Sequence, residues 1–232
     1  RISEQVYRVL CQNAPELNVA AALAVLDKPE ETAVSSSCYR VHQYTPMSHE
    51  VANKKTAREM FKSYPHADMG LITVALRGSC VGLEILPLDS IPSTWNVPSS
   101  HNGDAALESE ATRSEAPNLR VPPRPAWLAP EKFMLPNDLI VFTGETLSYL
   151  TGGYYRPAIH RPVRSTQVRL SLPFFLRGNP HAPLFPVSST YGVDGRKLEP
   201  MSNTLLLDPY PHTTATGQPV TIHQLMAVIR RR

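Results

Sequence analysis

The first part of the chain carries a helical pattern of hydrophobic positions. Val6, Val9 and Leu10 recur at the spacing of one helix face, and a second run rich in Ala, Val and Leu follows a break near Pro15. We therefore predict an N-terminal helical region within residues 1–34 that consists of two pieces.

A second amphipathic pattern closes the chain. Thr221 is a candidate N-cap, and three terminal arginines suit the negative end of a helix dipole. These features predict a C-terminal helix over residues 220–232 that docks on the core. Its apolar stripe consists of Ile222, Leu225, Met226 and Ile229.

Between these regions the pattern changes to short strand-like pieces bounded by Pro, Gly or Ser. Proline accounts for 23 of the 232 residues, roughly twice average usage, which disfavours long helices. We expect the polar tract 99–130 to be a long loop or an insertion, and residues 1–232 to form a single domain. This domain has an all-β core, a sandwich or jelly roll, with flanking N- and C-terminal helices. The predicted strands cover residues 39–44, 70–76, 81–86, 138–142 and 166–175.

Composition excludes several classes of protein. Hydrophobic residues make up 42% of the chain, but no apolar run approaches the roughly 18 residues that a membrane span needs. A net charge of +3 is too small to favour nucleic-acid binding. Cys11, Cys38 and Cys80 lack the spacing of a zinc site or a disulfide framework, which favours a reducing, cytoplasmic location. Because the chain begins at Arg1 rather than Met, we expect that part of an N-terminal region is missing.

Three separated side chains form a candidate metal centre. His66 and Asp68 are two residues apart, so in an extended strand both project from the same face. This pair alone is a weak signal, but His160 follows a glycine-marked turn that lets the chain fold back towards it. Two histidines and one carboxylate are the facial triad of non-haem Fe(II) oxygenases, whereas structural zinc fills all four positions.

The strand around Arg169 alternates strictly between polar and apolar residues. If the face that carries Arg169 and Ser171 lines the metal cavity, it offers a planar guanidinium fork and a hydroxyl suited to an anionic co-substrate. The alternative is that this polar face lies towards solvent. The opposite face consists of Val168, Leu170, Leu172 and Phe174.

The ordered set of these motifs resembles the 2-oxoglutarate and Fe(II)-dependent dioxygenases, and within them the isopenicillin-N-synthase-like subgroup. The resemblance covers residues 38–177 and includes the strand 70–74 that follows the His-x-Asp pair. It implies a double-stranded β-helix, with oxidative decarboxylation of 2-oxoglutarate coupled to hydroxylation or desaturation of a small organic substrate by molecular oxygen. The metal ligands that it implies are His66, Asp68 and His160.

The resemblance also implies the residues that hold the co-substrate. Arg169 and Ser171 would bind the distal carboxylate of 2-oxoglutarate, and Tyr44 would donate a further hydrogen bond. His42 stands where this family usually has asparagine, and we assign it no role. The polar tract 99–130 lengthens the gap between Asp68 and His160, so it is either a lid beside the site or a surface loop of no consequence.

Other functions remain open from the sequence alone. An oxidase of the same fold would use iron and oxygen without 2-oxoglutarate. A non-catalytic binding or regulatory protein would keep the fold but not the chemistry. A zinc hydrolase could use the same ligands, although the sequence shows no obvious general base. The primary substrate and the oligomeric state are not determined by the motifs, because specificity in this fold comes from loops and flanking helices.

Overall fold

A computed structural model describes residues 1–27, 35–46, 65–87, 127–163, 165–191, 196–198 and 213–229. Within these segments the chain forms four α-helices, a short 3-10 helix at Pro130–Lys132 and ten short strands. The helices are α1 (Ile2–Asn13), α2 (Val19–Ala24), α3 (Glu145–Leu150) and α4 (Ile222–Ile229). The strands are β1 (Cys38–Tyr39), β2 (His42–Tyr44), β3 (Ile72–Leu76), β4 (Leu83–Ile85), β5 (Leu139–Thr143), β6 (His160–Pro162), β7 (Arg169–Ser171), β8 (Pro173–Leu176), β9 (Thr190–Tyr191) and β10 (Lys197–Leu198).

The N-terminal region forms the two predicted helical pieces. Helix α1 buries Tyr7 completely, and its hydroxyl donates a hydrogen bond to the carbonyl of Ala22 at 2.9 Å, which ties α1 to α2. Asn18 caps α2 by accepting from the backbone N–H of Ala21. Between the helices Glu16 adopts a positive φ of 57°, so the chain turns directly after Pro15. The break that the sequence predicted is confirmed.

The central sheet has four strands in the order β1-β8-β3-β5, and its pairings are antiparallel. Strand β3 lies in its middle, and four of its five residues are buried, which shows that both faces of the sheet are covered at this strand. The hydrophobic core lies between this sheet and the helices. Its fully buried members include Tyr7, Leu71, Ile72, Leu147, Leu150, Leu184, Ile222 and Leu225.

The predicted strands 39–44 and 166–175 are each divided in two. Residues 38–44 pair antiparallel with 169–175 in one register, but the ladder is interrupted where β1 gives way to β2 and β7 to β8. Pro173 has no backbone N–H to donate, and its carbonyl accepts from Arg40 beside the interruption. The ladder therefore passes from the central sheet, which contains β1 and β8, to the separate pair β2–β7.

The other predicted strands are confirmed with small changes in their bounds. β3 and β4 are shorter than the predicted pieces, β5 is shifted by one residue and ends at Thr143, and β4 pairs with β6. Helix α3 was not predicted, because its six residues are too few for a periodic pattern to stand out. Most of the polar tract 99–130 lies outside the described residues; in its described end, Leu128 bridges Ile85 of β4, so this part is an ordered connection.

The C-terminal helix is confirmed over residues 222–229, and its predicted end at 230–232 lies outside the described residues. The Thr221 hydroxyl accepts from the N–H of Gln224, whose side chain accepts from the N–H of Thr221, which forms a capping box. None of the helices in the described segments is long and apolar enough to cross a membrane. The cysteines Cys11, Cys38 and Cys80 are free.

Gly144, which precedes α3, packs without room for a side chain. A Cβ there would clash with the Gly70 carbonyl oxygen and would lie 2.9 Å from that of Asp68. We expect Gly144→Ala to lower the free energy of unfolding by about 3 kcal/mol, because backbone atoms must move apart. Urea denaturation measures this loss. The control Gly217→Ala carries only the cost of a positive φ in open space, so an equal loss in both variants would contradict the steric explanation.

Candidate metal centre

His66 and His160 are held opposite each other by the backbone. The N–H of His66 donates to the carbonyl of His160 at 3.0 Å, and the N–H of His160 donates to the carbonyl of His66 at 2.9 Å. This reciprocal pair is an antiparallel bridge, in which directly opposed side chains lie on the same face. The two rings are 4.6 Å apart between centroids. The chain thus brings together two predicted ligands that are far apart in sequence.

Asp68 is positioned by the start of α3. The first N–H groups of a helix have no partner within it, and here that of Glu145 donates to the Asp68 carbonyl at 2.8 Å, while that of Thr146 donates to Gly70. The Thr146 hydroxyl also donates to the carbonyl of Met69 at 2.6 Å. The helix that the sequence did not reveal therefore fixes the backbone of the segment that carries the carboxylate.

The three side chains meet in a geometry that one ion can bridge. Asp68 Oδ1 lies 3.9 Å from His66 Nε2 and 3.9 Å from His160 Nε2, and the three ligand atoms lie within 4.8 Å of one another. Two atoms bound to one ion at about 2.1 Å can be up to about 4.2 Å apart; both 3.9 Å distances satisfy this limit, and a wider separation would close by a small rotation of an imidazole. Two imidazole nitrogens and one carboxylate oxygen are the donor set of non-haem Fe(II) sites. The residues fit a ferrous ion.

The environment of His160 favours the form that binds metal. Its Nδ1 lies 3.0 Å from the carbonyl of Ala158, and donation of a proton there leaves Nε2 as the electron-pair donor. The side chain is almost fully buried, and burial lowers the pKa of His160 below its ordinary value, although the Asp68 carboxylate opposes this shift. The ring is therefore neutral near pH 7, as metal coordination requires.

Two neighbouring residues of the central sheet support the ligands. Thr73 of β3 donates its hydroxyl proton to Asp68 Oδ2 at 2.5 Å, which leaves Oδ1 directed at the imidazoles. Phe142 of β5 stacks on His160, with centroids 4.9 Å apart and an interplanar angle of 6°. Thr73 and Phe142 are register partners in the β3–β5 pair, so both side chains leave the sheet on the same face. One face of the sheet therefore orients the carboxylate and covers the histidine.

The candidate co-substrate residues lie together on the β2–β7 pair. Tyr44 is the register partner of Arg169, and His42 is that of Ser171. Arg169 is buried, with only 3% of its surface exposed, whereas Leu170 is 46% exposed. The polar face of this strand is thus directed inward and its apolar face outward, and the solvent-facing alternative for Arg169 is excluded. Half-buried antiparallel strands usually direct their apolar residues inward and their polar residues outward, and β7 does the opposite.

Arg169 has a partner that sequence reasoning missed. Its Nη2 lies 2.7 Å from Oε1 of Glu131, a residue of the 3-10 helix that is itself 1% exposed. Its Nε donates to the carbonyl of Cys80 at 3.2 Å. Glu131 falls at the edge of the polar tract, where one acidic residue among several carries no distinguishing signal. The only sequence clue is its position beside Pro130, which suits the start of a helical turn.

His42 lies close to both parts of the site. Its ring stacks against Tyr44 at 5.9 Å, and its pKa is lowered by burial and by the charges of Arg40 and Arg169, against the attraction of Asp68. Tyr44 is also partly buried, and burial raises the pKa of its phenol, so the hydroxyl keeps its proton at neutral pH. The β2–β7 pair therefore presents a neutral imidazole and a neutral phenol beside the buried arginine.

The support from Thr73 gives a testable prediction. Thr73→Val keeps the shape of the side chain but removes the hydrogen bond to Asp68, so we expect the affinity for Fe(II) or Mn(II) to fall roughly tenfold. Isothermal titration of the metal-free protein measures this. Thr151→Val is the matched control, since it removes a buried hydroxyl that donates to the Leu147 carbonyl in α3 and does not contact the Asp68 segment. Equal metal affinities in the two variants would show that Thr73 does not orient the carboxylate.

Comparison with known proteins gives limited but consistent similarities. No model of a known protein family matches the sequence. A curated protein, the 2-oxoglutarate-dependent dioxygenase tropC of Talaromyces stipitatus, is 32% identical over 71 residues, which are 31% of this chain and 21% of that protein. This short stretch is similar in sequence but does not establish the family.

Solved structures show the fold. The structure of JOX2 in complex with 2OG, Fe and JA superposes with a TM-score of 0.51 and 19% identity, over 98% of this chain and 48% of that chain. A full-length Neurospora crassa protein in complex with alpha-KG and 5-formyluracil gives a TM-score of 0.52 and 14% identity, over 99% of this chain and 58% of that one. The chain thus spans about half the length of these proteins, and it shares their fold.

Proposed function

We propose that this chain carries the centre of a non-haem Fe(II) oxygenase that couples oxidative decarboxylation of 2-oxoglutarate to hydroxylation or desaturation of a small organic substrate. The observation that carries the proposal is the meeting of His66, Asp68 and His160 within 4.8 Å. The similarity in fold to JOX2, whose structure holds 2OG and Fe, supports it. So does the tropC segment, since tropC is a 2-oxoglutarate-dependent dioxygenase.

The three ligands would hold one face of the ferrous ion and leave the other coordination positions to exogenous groups. When bound, iron with 2-oxoglutarate and molecular oxygen supplies the oxidation, in which 2-oxoglutarate, O2 and R–H become succinate, CO2 and R–OH. The chain contributes orientation and exclusion of water. Thr73 fixes the carboxylate, and the Phe142 ring covers His160 on one side. These contacts hold Asp68 and His160 in orientation.

Arg169, Ser171 and Tyr44 form the proposed anion end of the site. They lie on one strand pair, and the charge of Arg169 influences His42, which also feels Asp68. His42 is influenced by both charges, which supports an anion end beside the triad. A dicarboxylic 2-oxo acid that chelates the metal would extend its distal carboxylate towards this end, where Tyr44 and Ser171 offer hydroxyl donors.

The proposal also includes the strand topology, the subgroup of dioxygenases, the domain bounds and the class of substrate. The strand pairs β2–β7 and β4–β6, together with the central sheet, are consistent with a double-stranded β-helix, or jelly roll. The Arg-x-Ser sequence and the tyrosine opposite it support the isopenicillin-N-synthase-like subgroup. We place residues 1–232 in one domain, with small molecules as substrates; both similar structures named above hold a small molecule.

One observation favours a second candidate function. The guanidinium of Arg169 already carries a buried carboxylate partner, Glu131, so the chain itself supplies an anion where the co-substrate is expected. An oxidase of the same fold, which uses iron and oxygen without 2-oxoglutarate, has no need for a free anion site. The two candidates share the metal centre and differ only in whether a 2-oxo acid binds beside it.

The proposal is tested by adding 2-oxoglutarate to the anaerobic Fe(II) protein. We expect the weak visible charge-transfer band of the chelate, and succinate after oxygen is admitted. Asp68→Ala should lose the metal and the band, because the carboxylate links the two histidines. Asp138→Ala is the control, since this carboxylate accepts a hydrogen bond from the Leu135 N–H in the turn before β5.

The outcomes separate the candidates. A wild-type protein that binds iron but gives neither band nor succinate supports the oxidase. A wild-type protein that does not bind a divalent metal, or an Asp68→Ala variant that binds it as tightly as Asp138→Ala, contradicts the metal centre itself.

A further inference from the structure

Glu131 and Arg169 form a buried ion pair at the proposed anion end. The two side chains are 2% and 3% exposed, and Arg169 Nη2 lies 2.7 Å from Glu131 Oε1. Arg169 Nε donates to the carbonyl of Cys80. The protein thus engages Nε and one N–H of Nη2, and the Tyr44 phenol is a further hydrogen-bonding partner of the guanidinium. The Tyr44 ring lies 5.2 Å from the guanidinium carbon.

Glu131 is fixed in place by the loop between β3 and β4. Its Oε1 accepts from the N–H of Gly78 at 2.9 Å, and its Oε2 accepts from the N–H groups of Gly82 at 2.7 Å and Leu83 at 2.9 Å. If the carboxylate moved away, three backbone donors would lose their acceptor, which is costly in a buried position. These backbone hydrogen bonds therefore hold the Glu131 carboxylate beside Arg169.

The loop glycines are shaped around the pair. A Cβ at Gly78 would lie 2.6 Å from Glu131 Oε1, and a Cβ at Gly82 would lie 2.5 Å from Arg169 Cδ. Larger residues at these two positions would push the ions apart. Two glycines and three backbone donors therefore converge on one carboxylate, which marks the pair as a built feature of the fold.

The pair changes what a ligand encounters at this end of the site. A distal carboxylate that approaches Arg169 is attracted by the guanidinium but repelled by Glu131. Within a buried site, repulsion between carboxylates a few ångströms apart exceeds the net gain from one hydrogen bond.

We propose that Glu131 is a specificity-determining residue: it orients Arg169 and offsets its charge, so that a distal carboxylate meets an ion pair and not an unpaired guanidinium. The inference rests on the proposed function, because it takes the co-substrate to be a 2-oxo acid. At the end of the site remote from the metal, the charges of Arg169 and Glu131 cancel. The protein should then discriminate weakly between 2-oxo acids with and without a distal carboxylate.

The test compares 2-oxoglutarate with 2-oxopentanoate, which has the same chain length and a methyl group in place of the distal carboxylate. Both acids are titrated into the anaerobic Fe(II) protein, and the ratio of their affinities isolates the distal carboxylate. We expect a wild-type ratio below roughly tenfold, and a rise of roughly tenfold in Glu131→Gln, where Arg169 keeps its full charge. Arg169→Gln should bring the ratio close to one.

The matched control is Glu84→Gln. Glu84 of β4 pairs with Arg161 at 2.8 Å, so this variant also removes a carboxylate from an arginine pair. Its affinity ratio should equal that of the wild type. A ratio of about a hundredfold or more in the wild type, or equal ratios in Glu131→Gln and Glu84→Gln, would overturn the proposal.

Stability provides a readout that needs neither metal nor co-substrate. In the metal-free protein, Arg169→Gln leaves the buried Glu131 carboxylate without its counter-ion, and we expect the melting temperature to fall by roughly 10 °C. Adding Glu131→Gln to that variant should restore part of the loss. If Glu131→Gln alone does not fold, the role of Glu131 is tested by the stability of this double variant and by the ratio of the wild-type affinities for the two 2-oxo acids.

The two proposals fail in different ways. If neither 2-oxo acid binds to the Fe(II) protein, the co-substrate of the proposed function is wrong, and the role of Glu131 as the counter-ion of Arg169 is still judged by stability. Strictly additive effects of Arg169→Gln and Glu131→Gln on the melting temperature would show that the two charges do not depend on each other, which would overturn the inference.

Discussion

The candidate site depends on one backbone constraint, the reciprocal hydrogen bonds between His66 and His160. The side chains of directly opposed residues in an antiparallel bridge lie on the same face, so the two imidazoles project to the same side. Asp68 then needs only the correct backbone turn to reach both rings, and the first N–H groups of α3 hold that turn. Main-chain hydrogen bonds therefore bring the three side chains together without the help of an ion.

The central sheet extends this constraint to the neighbours of the ligands. Because Thr73 and Phe142 are register partners, the same face that orients the carboxylate also covers His160. A slip of β5 by one residue relative to β3 would turn Phe142 to the opposite face of the sheet, away from His160. Stability and function are therefore coupled here, since the burial of β3 in the middle of the sheet fixes the register on which the metal centre relies.

A second constraint acts on the β2–β7 pair, where Arg169 is buried and its neighbour Leu170 is exposed. Burying a guanidinium is unfavourable unless it is paired, and Glu131 satisfies that requirement through Arg169 Nη2. The pair lies at the end of the site where a co-substrate anion is expected. The charge balance at this position therefore affects both the stability of the fold and the proposed binding of a 2-oxo acid.

The sequence by itself determined the local features: the helix break at Pro15, the Thr221 cap, most strand positions, and the residue types of the triad with their His-x-Asp spacing. These features follow from periodicity and from the chemistry of single residues, both of which depend only on residues close together in the sequence. Only the tertiary structure decided that α3 supports Asp68, that the strand of Arg169 is inverted, and that Glu131 is its partner. Those facts depend on contacts between residues 38 or more positions apart, and the pattern around either partner does not encode the other.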